Sequence, residues 1–211
     1  MERAGEGQLE QYSLVRTNDE VGQLAEGYNQ MTTRLKAYFD NINRLTEAYS
    51  RFVPRQFLDI LGKQDYTEIR LGDQVEKEMT ILFSDIRSFT TMSEQMTPKQ
   101  NFDFINAYLG VMEPVIRQNN GFIDKYIGDA IMALFPGRPD DAVKAALAMR
   151  QALDRFNRDS AGAGLPAINI GIGIHTGRLM LGIVGAEGRM DGTVISDAVN
   201  LAARLEGLTK Q

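Results

Sequence analysis

Cysteine and tryptophan are absent from this 211-residue chain, and histidine occurs once. Without cysteine there is no disulfide framework and no thiolate chemistry, which suits a reducing cytosol. The lone histidine, His175, excludes a multi-histidine metal site. Any metal would therefore rest on carboxylates and be a hard ion such as magnesium. A basic excess is also missing: the net charge of -5 gives no electrostatic reason to expect nucleic-acid binding. No apolar run approaches the roughly 20 residues that cross a bilayer, and no signal peptide opens the chain. What is present is an ordinary balance of apolar and charged residues, with enough length for one medium domain and an accessory element.

The accessory element comes first. Val21, Leu24, Tyr28, Met31, Leu35, Tyr38, Ile42, Leu45, Tyr49 and Phe52 recur at alternating spacings of three and four, the a/d repeat of a coiled coil. The spacing predicts a rod about 48 Å long, capped by Asn18 or Asp19 and stopped by Pro54. So narrow a stripe fits a seam between two helices, hence a dimer, better than one side of a core. A lone amphipathic helix lying on its own domain is the alternative. The start of this segment, Asp19-Glu20-Val21-Gly22-Gln23-Leu24 and then Tyr28-Asn29-Gln30-Met31, resembles the end of a HAMP signalling module. In that family the module follows a transmembrane helix. The resemblance implies a piece of a longer receptor, with this part cytoplasmic and the parent protein anchored in the cell membrane.

Residues 53–76 read as a polar linker, and residues 77–211 as a globular domain. Met79 to Phe83 predicts a buried strand and Pro98 to Gln118 a helix with apolar positions at Phe102, Ile105, Leu109 and Met112. Phe122 to Ile127 and Ile131 to Phe135 predict a hairpin turning at Gly128-Asp129. A helix follows over about 140–158, its stripe at Val143, Ala146, Met149, Leu153 and Phe156. Ile168 to Ile174 and Leu179 to Val184 predict a second hairpin around Thr176-Gly177, and a last helix spans about 196–208. Strand, helix, hairpin, helix, strand is the order of an α/β (α+β) ferredoxin-like βαββαβ sandwich, here preceded by the long coiled-coil helix.

In that fold the first and third strands are antiparallel neighbours at the centre. Asp85 follows the first strand and Asp129 sits in the turn before the third, so the topology brings the two carboxylates together. Close carboxylates repel unless a cation neutralises them, and magnesium takes one or two carboxylates plus substrate phosphates. Each aspartate alone also fits a purely structural role, as a cap or a turn residue. On the last helix Asn200 and Arg204 share a face, and Thr193 joins it if the helix starts early enough. An arginine there could meet charge on a phosphoryl group, or simply be a solvated residue. Gly171-Ile172-Gly173 with Gly177 is not a dinucleotide fingerprint, since it lies within a strand pattern. His175, alternating with apolar neighbours, reads as a packed residue.

Four blocks in order resemble the class III adenylyl/guanylyl cyclase catalytic domain, in its bacterial, cyanobacterial-like form. They are Thr80-Ile81-Leu82-Phe83-Ser84-Asp85-Ile86, Phe122-Ile123-Asp124-Lys125-Tyr126-Ile127-Gly128-Asp129-Ala130, Gly171-Ile172-Gly173-Ile174-His175-Thr176-Gly177 and Val199-Asn200-Leu201-Ala202-Ala203-Arg204-Leu205. The resemblance implies two Mg²⁺ (or Mn²⁺) ions held by Asp85 and Asp129 with the Ile86 carbonyl. It places the phosphates on the backbone at Phe89 and Thr90, with Arg178 near the polyphosphate. Asn200 would orient the ribose and Arg204 would stabilise the transition state. Lys125, four before Asp129, and Thr193, seven before Asn200, occupy the positions that select adenine, so ATP is the implied substrate and cyclic AMP the product. A lysine can donate to adenine N1, and a hydroxyl can accept from its amino group. In the family the site is shared between protomers, implying a homodimer. Family domains also continue further than Gln211, so a C-terminally truncated domain is expected.

Overall fold

The computed structural model describes residues 17, 19–162 and 166–209. The chain divides into two compact units, Met1–Val53 and Pro54–Gln211. In the first, α1 (Glu20–Tyr49) is a continuous helix of 30 residues. The Asp19 carboxylate caps it by accepting from the amides of Val21 at 3.1 Å and Gly22 at 3.2 Å. Asn18, the other candidate cap, lies outside the described residues. The helix ends before Pro54 is reached, so Phe52 of the heptad row falls beyond it. Leu24, Met31, Tyr38, Ile42 and Leu45 are exposed along its length. Among the described residues no helix is long and apolar enough to cross a membrane.

The second unit opens with α2 (Arg55–Leu61) and a 3-10 turn at Tyr66–Glu68. It continues as β1 (Gln74–Ile86), α3 (Phe89–Ser93), α4 (Pro98–Gln118), β2 (Phe122–Ile127), β3 (Ala130–Phe135), α5 (Pro139–Ala161), β4 (Ile170–Ala186), β5 (Arg189–Ile195) and α6 (Asp197–Leu208). The five strands form one antiparallel sheet in the order β2-β3-β1-β4-β5. The expected ferredoxin-like arrangement is therefore present, with β1 and β3 adjacent at the centre and β5 added at one edge.

The hairpin expected around Thr176-Gly177 is not there. Both residues lie inside β4, paired with Thr80 and Met79, and the chain turns between Ala186 and Arg189 instead. The cause is the length of β1, which pairs with β4 without interruption from Gln74 to Ile86. The glycine that read as a turn serves packing: a Cβ at Gly177 would lie 2.8 Å from the Ala198 methyl.

The main core lies between α4, α5 and one face of the sheet. Phe104, Tyr108, Met112 and Ile116 of α4 and Met149, Leu153 and Phe156 of α5 close over Leu82, Ile86, Ile131, Ala133 and Phe135. The buried row of α4 is the i, i+4 row next to the expected one, so Phe102 is 72% exposed; Val143 of α5 is likewise exposed. On α4 the row beginning at Phe104 places two aromatic rings against Phe156, which the Phe102 row does not. Thr97 and Gln100 form a capping box at the start of α4, with Pro98 in its first turn. On the opposite face α6 lies on β4, and Phe57 of α2 rests over Gly192.

Candidate active site

The register explains why Asp85 and Asp129 meet. Ser84 pairs with Ile131 at the last step of the β1–β3 ladder, so Asp85 falls level with the turn entering β3. That turn is Gly128-Asp129, made tight by Gly128 at φ 64°. Burial first, then a hydrogen bond and repulsion from Asp85, push the Asp129 carboxyl up to about 6, against the opposing pull of its own amide and that of Ile86. Among the described residues no cluster of three or more acidic or histidine ligands occurs. Two adjoining carboxylates at a strand end, strained by their own charge, are a donor set that fits a magnesium-like ion completed by phosphate oxygens. Tyr108 is fully buried beneath this corner next to Ser84; burial pushes its phenol up, with Asp129 and Asp85 adding to the effect.

Beyond Ile86 the chain is bent sharply. Ser88 takes a left-handed conformation at φ 57°, and α3 starts at Phe89, so the amides of Phe89 and Thr90 lie in a first turn that offers them no partner within the helix. Arg87 reaches away from this loop to the end of α6, where it pairs with Glu206 at 2.8 Å.

Glycines set the position of α6. A Cβ at Gly173 would fall 2.2 Å from the Glu206 amide nitrogen and 2.4 Å from the Ala202 carbonyl oxygen. The helix therefore rests on bare backbone, burying Ala198, Ala202 and Glu206. Asn200 and Arg204 take the opposite face and are exposed. Within one chain they point away from the sheet. Thr193 does not share that helix face, because α6 begins at Asp197 and Thr193 belongs to β5. Its partner is Lys125 on β2, whose Nζ donates to Thr193 Oγ1 at 2.8 Å. Arg178 does not follow a turn either: it lies mid-strand in β4 opposite Glu78, exposed, and its carbonyl accepts from the Ser196 hydroxyl.

Residues 71–211 match the family model described as the adenylate and guanylate cyclase catalytic domain. The chain belongs to this family. An adenylate cyclase of Anabaena cylindrica is 48% identical over 198 residues, 92% of this chain and 39% of that protein. The chain thus spans well under half the length of that relative. A bacterial light-regulated adenylyl cyclase superposes with a TM-score of 0.72 at 28% identity, covering 85% of this chain and 53% of that one. The guanylyl cyclase Cya2 superposes at 0.59 with 36% identity, covering 64% of this chain and 71% of that one. Both nucleotide specificities therefore occur on this scaffold, and the base must be read from side chains.

Cyclase catalytic domains are metal-dependent, in keeping with the Asp85–Asp129 corner. Three features of this cyclase domain escaped the sequence reading. Arg87 and Glu206 are too far apart in sequence to be matched. Tyr108 is hidden among the apolar residues of its helix row, although its hydroxyl is the one polar group there. Asp124 carries no signal of its own in the sequence, and its side chain is only 1% exposed.

Proposed function

We propose that this chain is the catalytic domain of an adenylate cyclase, converting ATP to 3′,5′-cyclic AMP and pyrophosphate at sites shared between two copies. The observation that carries this reading is the Lys125–Thr193 contact at 2.8 Å, which joins two residues from strands at opposite edges of the sheet. Lysine is a donor only, so it complements adenine N1, an acceptor, and not guanine N1–H. The Thr193 oxygen keeps a lone pair for the adenine amino group. A guanine would leave a partly buried donor facing a donor, a mismatch that discriminates.

In the reaction the ribose 3′-oxygen attacks the α-phosphorus, its proton is lost, and the bond to the pyrophosphate oxygen breaks. Two Mg²⁺ or Mn²⁺ ions, held by Asp85, Asp129 and the Ile86 carbonyl, supply activation of that hydroxyl and neutralise phosphate charge when bound. The amides of Phe89 and Thr90 receive phosphate oxygens, and Arg178 lies toward the polyphosphate. Asn200 orients the ribose, and Arg204 stabilises charge developing on the transferred phosphoryl group.

A homodimer accounts for the outward face of α6. Asn200 and Arg204, exposed in one chain, serve the carboxylates of a second copy. The exposed apolar row of α1 supports pairing through a coiled coil, with residues 1–52 as the end of a HAMP module and signalling helix, 53–76 as linker and 77–211 as the cyclase domain. The parent protein is then a membrane-anchored receptor with this part in the cytoplasm. Purified chain given ATP or GTP with Mg²⁺ or Mn²⁺ should form cyclic AMP from ATP, and Asp85→Ala should abolish it. No cyclic AMP from the wild type, or full activity after Asp85→Ala, would overturn the reading.

A further inference from the structure

Asp124 is the buried carboxylate for which the proposed chemistry has no use. The β2–β3 register passes from Ile123↔Ala133 to Lys125↔Met132, so Asp124 is an extra residue in a β-bulge. In a regular strand Asp124 and Lys125 would point to opposite faces. The bulge lets them share one, and Asp124 Oδ2 lies 3.6 Å from Lys125 Nζ. Neither carboxylate oxygen has a hydrogen-bond partner among the described residues. Leaving such a group without a hydrogen bond costs free energy, about 1–3 kcal/mol or more for a charge, and what faces it across that cost is the Lys125 ammonium. Asparagine or an apolar residue would serve the fold better.

From this geometry we infer that Asp124 is a positioning residue that sets the specificity of the base site, holding the Lys125 ammonium charged and aimed between Thr193 and the incoming base. The inference rests on the adenine reading of Lys125 and deepens it. An ammonium has three N–H donors. One is used on Thr193, a second is drawn toward Asp124, and the third is left to the base. Without the carboxylate the ammonium turns freely about its long stem and loses the nearby charge that favours its protonated form once a purine excludes water. Burial holds the Asp124 carboxyl up at about 6, with Lys125 pulling it down and Asp191 of β5 raising it, so it is ionised at neutral pH.

The test uses the full chain and the isosteric substitution Asp124→Asn, with ATP and GTP as separate substrates in Mg²⁺ and melting temperature measured in parallel. The positioning role predicts that KM for ATP rises roughly tenfold, about the worth of one charge-assisted contact. The kcat/KM preference for ATP over GTP falls by a similar factor, kcat changes little, and the melting temperature stays level or rises. Unchanged KM and base preference overturn the inference while leaving the cyclase reading intact. A fall in kcat with a lower melting temperature and an unchanged base preference also overturns it, in favour of a structural role. If the wild type forms no cyclic AMP, the cyclase reading fails and this inference fails with it.

Discussion

Arg87 and Glu206 meet at 2.8 Å, joining the residue just past the Asp85 corner to the last turn of α6. Arg87 also donates to the Glu206 carbonyl oxygen at 3.2 Å and to the Thr209 hydroxyl. Its guanidinium crosses over Gly171, where a Cβ would lie 1.4 Å from Nη2. One chain thus fastens its Asp85–Asp129 corner to the helix that carries Asn200 and Arg204. Both side chains are largely buried, at 18% and 10% exposure. Removing one partner strands a buried charge, and Glu206→Ala should cost about 3–5 kcal/mol in urea unfolding. Gly171→Ala should lose a comparable amount by displacing the arginine. A loss below about 1 kcal/mol in both would mean that the pair behaves as a solvated surface bridge.

The seat of α6 makes a second expectation. At Gly173 the clash is with backbone on two sides, which no rotamer change relieves. Gly173→Ala should therefore destabilise by at least about 1–3 kcal/mol and shift α6, lowering kcat through Asn200 and Arg204. Gly188, in the β4–β5 turn, has open space around it and is the control. Its alanine variant should stay within about 0.5 kcal/mol of wild type. Denaturation midpoints for the two variants decide the matter.

These two cases also mark what could be read without the fold. The Gly128-Asp129 turn, the bounds of α4 and the meeting of Asp85 with Asp129 follow from local signals and strand order alone. The Thr176-Gly177 pair carries the same local signal as a turn, and only the thirteen-residue run of β1 opposite it, with α6 pressing from above, keeps β4 straight. The burial of Asp124 beside Lys125 is hidden for a related reason. Strand alternation sends it away from Lys125, and a bulge leaves no mark in the sequence. Arg87 and Glu206 each look like an ordinary surface charge until two elements 119 residues apart are packed together.

Charge at the carboxylate corner predicts an unusual pH response. Asp129 is raised from 3.8 to about 6, so between those values the folded chain binds more protons than the unfolded one. Stability from this group is fully present below the lower value and is lost as pH rises through the upper one. Asp129 is only partly buried, so solvent screening reduces the effect to on the order of 1 kcal/mol. The metal-free chain should melt at a lower temperature at pH 7.5 than at pH 5.5, and millimolar Mg²⁺ or Mn²⁺ should narrow the gap. Asp124, also held at about 6, contributes a similar slope that the metal does not remove. In Asp85→Asn the metal-sensitive part should vanish. A metal-independent slope of equal size in wild type and Asp85→Asn would show that the two carboxylates do not act as a pair.

The sharing of sites between copies is tested by mixing two dead chains. Asp85→Ala lacks one of the two corner carboxylates, and Arg204→Ala lacks the arginine on the exposed face of α6. If each site draws the aspartates from one chain and the arginine from the other, a heterodimer of the two variants has one site lacking both groups and one site complete. Random reassortment of equal amounts makes half the dimers mixed, so activity should return to about a quarter of wild type. Recovery should depend on exchange. Variants mixed after dimers have formed should regain activity only as fast as subunits swap, whereas chains refolded together should show it at once. No recovery under either condition, with both variants folded and dimeric, would require Arg204 to reach the carboxylates of its own chain, against the outward orientation of its helix face.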